Sequence, residues 1–138
     1  MDAAPYLRGV PTAAPPIRNY RDLLVWQGAM EAVAGAYALT TALPPEHRRE
    51  LGAQLRRAAV SVAANIAEGH GREHLGDYLR SPSIANGSLM ELETLVLTAQ
   101  RVGLTEPSRA TALLEVTAET GRMLAGLTRS LRRRRPQP

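Results

Sequence analysis

Apolar residues recur at three- and four-residue steps in four segments of the chain, and prolines and glycines separate these segments. Such spacing places the apolar side chains on one face of a helix. The pattern predicts helices over residues 22–41, from 45–50 to 68, from 73–75 to 102, and over 105–131. Because the connections are short, successive helices must run antiparallel. The sequence therefore predicts an all-α fold, an antiparallel up-down-up-down four-helix bundle.

Polar residues and glycines predict where these helices begin and end. Asp22 and Thr105 are predicted N-caps of helices 1 and 4, since their side chains can accept from the first free backbone N–H groups. Gly69 and Gly71 are predicted to end helix 2 with positive φ angles, and Gly103 to end helix 3. These signals set the bounds of the predicted bundle.

Pro82 lies inside the predicted helix 3. An interior proline removes a backbone hydrogen bond and clashes with the preceding turn, at a cost of about 3 kcal/mol. We therefore expect a kink or a short break near residues 79–83.

The residues of each apolar stripe are the predicted core, and Trp26, the only tryptophan, is interpreted as a core anchor. The predicted core positions are Leu23, Trp26, Met30, Val33 and Tyr37 on helix 1, Leu51, Leu55, Ala58 or Ala59, Val62 and Ile66 on helix 2, Leu75, Tyr78, Leu79, Ile84, Leu89, Leu92, Leu95, Val96 and Ala99 on helix 3, and Leu113, Leu114, Thr117, Gly121, Leu124, Leu127 and Leu131 on helix 4.

A file of polar residues follows a second face of helix 2. With equal rise in both helices, residues of helices 2 and 3 whose numbers sum to about 142–146 should lie opposite one another. We expect an Arg57–Glu91 pair there, because buried charges need partners. We interpret the cluster as structural, and a functional site is the alternative. The predicted polar cluster comprises Gln54, Arg57, Asn65, Glu68, Ser88 and Glu91.

Composition divides the 138 residues into one domain and two flanking segments. Residues 1–19 are rich in proline, alanine and glycine and are predicted to form a disordered arm, residues 20–131 form the bundle, and residues 132–138 form an arginine-rich disordered tail. The absence of cysteine excludes disulfides and thiolate zinc sites. No stretch is apolar enough for a signal sequence or a membrane span, so we expect a soluble cytoplasmic protein.

The 17 basic residues are all arginines, against 13 acidic residues. Two groups of these arginines form basic poles, which the predicted bundle places at opposite ends. The guanidinium group suits phosphate, so both poles are candidate nucleic-acid contacts. The alternative is that these cations offset helix dipoles and keep the protein soluble. No aromatic residue is interleaved with them, which argues against base stacking. The candidates are Arg48, Arg49 and Arg56 at the start of helix 2, and Arg129, Arg132, Arg133, Arg134 and Arg135 at the end of helix 4.

Catalytic and metal-binding patterns are absent from the sequence. His70 and His74 stand four residues apart, but no third ligand accompanies them and glycines flank His70. Glu68, Glu91 and Glu93 lack the Glu-x-x-His pairs of di-iron bundles. There is no phosphate-cradling glycine loop and no nucleophile elbow. We predict a protein that is not an enzyme and that has no catalytic residues, cofactor or metal.

Three segments carry a family resemblance: LLVWQ at 23–27, QLRRAAVSVAANIAEGHGR at 54–72 and IANGSLMELET at 84–94. They contain the patterns Q-x-R-R-A-x-x-S-x-x-x-N-I-x-E-G and G-S-x-x-E-L-E. The chain resembles the bacterial four-helix-bundle proteins first noted as products of intervening sequences in large-subunit ribosomal RNA genes. Pro82 departs from the family, which usually has a large apolar residue there.

The resemblance implies a left-handed bundle that assembles as a homo-oligomer, commonly a pentameric ring. It also implies a relative, the accessory protein of diversity-generating retroelements, a similar basic bundle that works beside a reverse transcriptase and nucleic acid. We therefore expect a homo-oligomer that binds RNA or DNA without sequence specificity through its arginines, with a reverse transcriptase or another protein as a further candidate partner. The alternative is an oligomeric protein-protein interaction scaffold with no nucleic-acid role.

Overall fold

The computed structural model describes residues 16–71 and 75–134, and the secondary structure in these residues is entirely helical. A 3₁₀ turn at Tyr20–Asp22 precedes the first long helix, and a helical turn at Pro45–His47 continues into a π-helical segment at Arg48–Gly52 before the second. The four long helices are α1 (Leu24–Ala42), α2 (Ala53–His70), α3 (Leu75–Arg101) and α4 (Pro107–Arg133).

The four long helices pack as a closed square, each against its neighbours in sequence and α4 back against α1. The core has two halves. One half joins the end of α1, the start of α2, the end of α3 and the start of α4, including Leu39, Leu55, Val96 and Leu113. The other half joins the opposite ends of the same helices. Only antiparallel neighbours bring these ends together, so the predicted up-down-up-down order is confirmed.

The buried face of α1 differs from the predicted stripe. Met30 and Tyr37 are 41% and 51% exposed, and Trp26 is only half buried, with 5.3 Å between the centroids of its ring and the Tyr20 ring. The prediction selected the largest apolar residues, but α1 buries mainly alanines, which let its neighbours approach closely. On α3, Ile84 is 45% exposed, also against expectation. The buried residues of α1 are Val25, Ala29, Ala32, Ala36, Leu39 and Thr40.

Asp22 is not the N-cap of α1, which begins after Leu23 without a side-chain cap. Its carboxylate instead accepts from the backbone N–H groups of Arg18, at 2.9 Å, and Asn19, at 3.2 Å. The Asn19 side chain accepts from Arg21 N–H at 2.8 Å, so the 3₁₀ turn has its own capping box. These backbone donors, that of Arg18 foremost, hold the pKa of the Asp22 carboxyl below its ordinary 3.8.

The predicted cap of α4 is also wrong. Glu106 occupies the N-cap position without a side-chain hydrogen bond, and Pro107 is the first helical residue. Thr105 lies one residue too early to reach the free N–H groups. Its buried Oγ1 atom has no hydrogen-bond partner.

Of the glycines predicted to end helices, Gly103 does so and the other two do not. Gly103 has φ of 76°, its N–H donates to Gln100 O, and the N–H of Leu104 donates to Ala99 O, which together form a Schellman motif. Gly69 is buried inside α2, and Gly71 has φ of −81°. The end of α2 is therefore right-handed and needs no glycine for its backbone angles.

Two further expectations concern helix continuity. Helix α3 runs without a break through Pro82, which is fully buried. Helix α4 continues to Arg133, so Arg132 and Arg133 belong to its last turn rather than to a tail. Residues 1–15 and 135–138, which include most of the predicted arm and the end of the predicted tail, lie outside the described residues.

Candidate functional site

The polar contact between α2 and α3 centres on serine hydroxyls rather than on charges. The Oγ atoms of Ser61 and Ser88 are 2.7 Å apart, and the Asn65 amide donates to Ser61 O at 2.8 Å and to Ser61 Oγ at 3.2 Å. All three side chains are half buried. The cluster thus joins two of the predicted residues, Asn65 and Ser88, through a third, Ser61, from the polar file of helix 2.

The predicted Arg57–Glu91 pair does not form. Both side chains are exposed, and within the described part of the chain no ion pair or hydrogen bond joins them. The Ser61–Ser88 contact shows that the two helices are offset by roughly one turn from the predicted register. The prediction placed the turn symmetrically about Gly71, whereas α3 has more residues before the contact than α2 has after it. Gln54 is half buried and Glu68 exposed.

A second polar contact, between α3 and α4, was missed from the sequence. Thr117 is fully buried, and its hydroxyl lies 3.0 Å from Glu93 Oε2 and 3.0 Å from Leu114 O. The signal was present, because Thr117 stands in the apolar stripe of helix 4 and a hydroxyl there requires an acceptor. Glu93 therefore helps to hold α3 and α4 together.

The basic residues around the start of α2 include two with structural contacts. Arg48 Nε donates to Leu43 O at 2.9 Å, which ties the π-helical segment to the end of α1. The Arg56 guanidinium lies over the Tyr37 ring, 5.8 Å from its centroid. Arg49 is exposed without such a contact. Much of this predicted pole therefore stabilises the α1–α2 connection.

The other pole lies beside a groove of about 590 Å³ between the first half of α3 and the last third of α4. Arg80 on α3 and Arg129 and Arg132 on α4 line it, and none of its described lining residues is acidic. We call it the α3–α4 groove. Its remaining lining residues are polar Ser83, Asn86 and Thr128 and apolar Leu79, Pro82, Leu124 and Ala125.

The three arginines of the α3–α4 groove are exposed, and none makes an ion pair or side-chain hydrogen bond with the rest of the described chain. An ion pair of the described residues lies elsewhere on α4, where Arg122 Nη2 is 2.6 Å from Glu119 Oε2. Three like charges around one depression raise the local potential and favour an anion there. The groove is thus the place in the described structure best suited to phosphate.

Sequence reasoning identified Arg129 and Arg132 but missed Arg80, which has no basic neighbour in the sequence. The antiparallel order could have found it, because the start of helix 3 must lie beside the end of helix 4. Arg133 and Arg134 are exposed beyond the groove, and Arg135 is outside the described residues.

The described residues offer neither a metal cluster nor a membrane-spanning helix. Residues 16–71 and 75–134 contain no group of three or more potential ligands that could hold a metal ion. His70 is the last residue of α2, and His74 lies outside the described residues. In the same residues, no helix has the length and apolar character needed to cross a membrane.

Comparison with known proteins shows the family of the chain. The sequence model of the 23S rRNA-intervening sequence protein family matches residues 21–126, which span all four helices. The chain belongs to this family. No curated protein matches it in sequence. A crystal structure from Bacteroides thetaiotaomicron, of a protein of unknown function in the S23 ribosomal protein family, superposes with a TM-score of 0.72 at 19% identity, covering 77% of this chain and 96% of that one. That likeness supports the fold, and the family assignment agrees with the resemblance noted from the motifs.

Proposed function

We propose that this 23S rRNA-intervening sequence family protein is a non-enzymatic homo-oligomer that binds RNA or DNA without sequence specificity through the arginines at the end of α4. The observation that carries the proposal is the α3–α4 groove, where Arg80, Arg129 and Arg132 have neither acidic neighbours nor partners among the described residues. Arginine binds phosphate through its planar fork of donors and stays charged at any physiological pH. Arg133 and Arg134 extend the same basic surface.

The expected strength of such binding follows from counterion release. Each neutralised phosphate contributes about −0.9 to the slope of log K against log salt, so three contacts per protomer weaken binding roughly 40-fold between about 50 and 200 mM salt. A single protomer is then a weak binder near physiological salt. Several protomers on one nucleic acid would raise the avidity by orders of magnitude.

An apolar surface across α1 and α2 supports self-association. Met30 and Tyr37 on α1 and Val60 on α2 are 41%, 51% and 44% exposed, and the Arg56–Tyr37 contact shows that the two rows adjoin. Ala64 is exposed on the same side of α2 as Val60. We call this surface the α1–α2 face. Exposed apolar patches of this kind mark interaction sites, and the family resemblance implies a pentameric ring.

Two measurements test the proposal. Anisotropy of a labelled structured RNA and a labelled duplex DNA, each titrated with protein at several salt concentrations, should show binding to both with a steep salt slope. A chain ending at Leu131 should bind less tightly and with a smaller slope, because it lacks the last four arginines. The mass in solution should be a multiple of 14.9 kDa. A monomer, or no binding below physiological salt, would sink the proposal.

The α1–α2 face also favours a second candidate function, an oligomeric scaffold whose partner is another protein, such as a reverse transcriptase. The two candidates separate on salt. A contact made by apolar residues such as Met30 and Val60 should hold or strengthen as salt rises, whereas phosphate binding weakens.

A further inference from the structure

We propose that the α3–α4 groove is a site for a phosphate monoester dianion attached to a nucleoside. A terminal phosphate on a nucleic-acid strand and a free nucleotide both present this chemistry. The inference rests on the proposed function and deepens it, because it names the part of the nucleic acid that the groove holds.

The charge of the groove favours a monoester over an internal phosphodiester. Arg80, Arg129 and Arg132 bring three positive charges, and the lining side chains that the structure describes include no carboxylate to offset them. An internal phosphodiester carries one negative charge, whereas a monoester carries about −1.5 to −2 at pH 7 because its second pKa is near 6. The doubly charged group gains more from three cations, and its three terminal oxygens can accept from more of their N–H donors.

Helix dipoles do not account for this arrangement. Arg129 and Arg132 lie near the C-terminus of α4, where cations are favourable whatever their function. Arg80, however, lies in the second turn of α3, near its positive N-terminal end, where the dipole offers a cation nothing. The helix dipoles therefore do not explain why Arg80 lies beside Arg129 and Arg132.

The shape and lining of the groove suit one nucleotide. Its volume of about 590 Å³ falls in the range of roughly 300–1,000 Å³ typical of small-ligand sites. Half-buried Leu79 and exposed Ala125 give it an apolar surface, against which a sugar or base can pack without aromatic stacking. Ser83, whose hydroxyl has no hydrogen bond within the described chain, and Asn86 supply polar groups on the opposite side from α4. A base pair is too bulky to enter such a depression, so a nucleotide held inside it must be unpaired. The three exposed arginines can still contact the backbone of a duplex from outside the groove.

The test compares two single-stranded oligonucleotides of one sequence, one with a 5′-phosphate and one with a 5′-hydroxyl, both labelled at the 3′ end. We expect the full-length protein to bind the phosphorylated strand at least tenfold more tightly at pH 8. The ratio of the two affinities should fall towards one as the pH drops below about 6, since the monoester then takes up a proton while arginine keeps its charge.

Variants assign the preference to the groove. Arg80→Ala and Arg129→Ala should each remove most of it. Arg101→Ala is the matched control, since it removes the same charge from the last turn of α3, at the opposite end of the bundle from the groove, and it should retain the preference. All three side chains are exposed, and unchanged thermal melting verifies that each variant is folded.

Adenosine monophosphate as competitor distinguishes the two sources. Displacement of the phosphorylated strand by the nucleotide indicates a free-nucleotide site, and a phosphate preference without displacement indicates a strand-end site. Equal binding of both strands with a steep salt slope would overturn the monoester site and leave the proposed function standing. If neither strand binds at low salt, both the monoester site and the proposed function are overturned.

Discussion

The side-chain oxygens of Ser61 and Ser88 meet at 2.7 Å across the interface of α2 and α3, and this contact reports the register of the two helices. Asn65 completes it from one turn further along α2. A hydroxyl pair in a half-buried interface can be satisfied in one alignment only, because a shift by one residue would separate the two oxygens. The pair therefore favours one register over its neighbours.

Replacing either serine by alanine should lower the free energy of unfolding by about 0.5–1.5 kcal/mol, the usual net contribution of one hydrogen bond. The double variant Ser61→Ala with Ser88→Ala should cost less than the sum of the single changes, since each single change leaves one hydroxyl without its partner. Urea denaturation of the four proteins measures this coupling. Strictly additive costs would show that the hydroxyls do not interact.

Gly52→Ala should destabilise the protein by about 1–3 kcal/mol, the usual cost of overpacking. Gly52 is buried in the π-helical segment, and a Cβ atom there would collide with Cγ2 of buried Thr40. Thr40 is β-branched and its hydroxyl donates to Ala36 O at 2.8 Å, so it cannot easily rotate away. Thermal melting of the variant and the wild type measures this loss of stability.

Gly87→Ala is the matched control for that substitution. Gly87 lies in the middle of α3, is exposed, and has no atom within 4 Å of a Cβ at its position. The change should stabilise the protein by up to about 1 kcal/mol through helix propensity alone. Equal effects at the two glycines would contradict the packing described for Gly52.

Two threonine-to-valine substitutions should have opposite signs. Thr105→Val removes a buried hydroxyl without a partner and should raise stability by about 1 kcal/mol, because the desolvation cost of that group disappears. Thr117→Val removes the contact with Glu93 and should lower stability by roughly 1–2 kcal/mol, since the acceptor is a carboxylate. The free energy of unfolding at pH 7 decides each, and two changes of the same sign would refute the pairing.

The 3₁₀ turn before α1 should respond to acid. The folded-state pKa of Asp22 lies below its ordinary 3.8, so its contribution is present above pH 3.8 and is lost as the pH falls through the lower folded value. Trp26, whose ring contacts Tyr20 in that turn, reports the change by fluorescence. In Asp22→Asn this acid transition of Trp26 should be absent, and its persistence would assign it to another group.

The elements of the fold were more predictable than the surfaces that they present. Proline and glycine punctuation together with the apolar spacing predicted the four helices, and the end of α3 at Gly103 was found from the glycine alone. The α1 core was missed because close helix packing buried alanines such as Ala29 and left Met30 exposed, a choice that depends on the neighbouring helices. Asp22 was misread because its carboxylate turns back to earlier N–H groups, which a linear cap pattern does not distinguish.

Only part of the candidate site could be predicted from the sequence, because the site combines residues of two neighbouring helices. Arg129 and Arg132 stand in an obvious basic run, but Arg80 becomes part of a site only when α3 and α4 are placed side by side. The Arg57–Glu91 pairing failed because both side chains lie on exposed faces of their helices, although the two residues stand within about one residue of the register that the Ser61–Ser88 contact sets.

The most direct test of nucleic-acid binding through the α3–α4 groove is the salt dependence of duplex DNA and structured RNA binding by the wild type and by a variant with Arg80, Arg129 and Arg132 all changed to alanine. A control with Arg57, Arg101 and Arg109 changed to alanine carries the same net charge and alters exposed arginines at the opposite end of the bundle from the groove. We predict that the groove variant loses about 2.7 units of the slope of log K against log salt per bound protomer, at about 0.9 for each lost phosphate contact. The control should lose much less. Equal losses in the two variants, or a wild type that binds neither nucleic acid, would contradict the assignment of the groove.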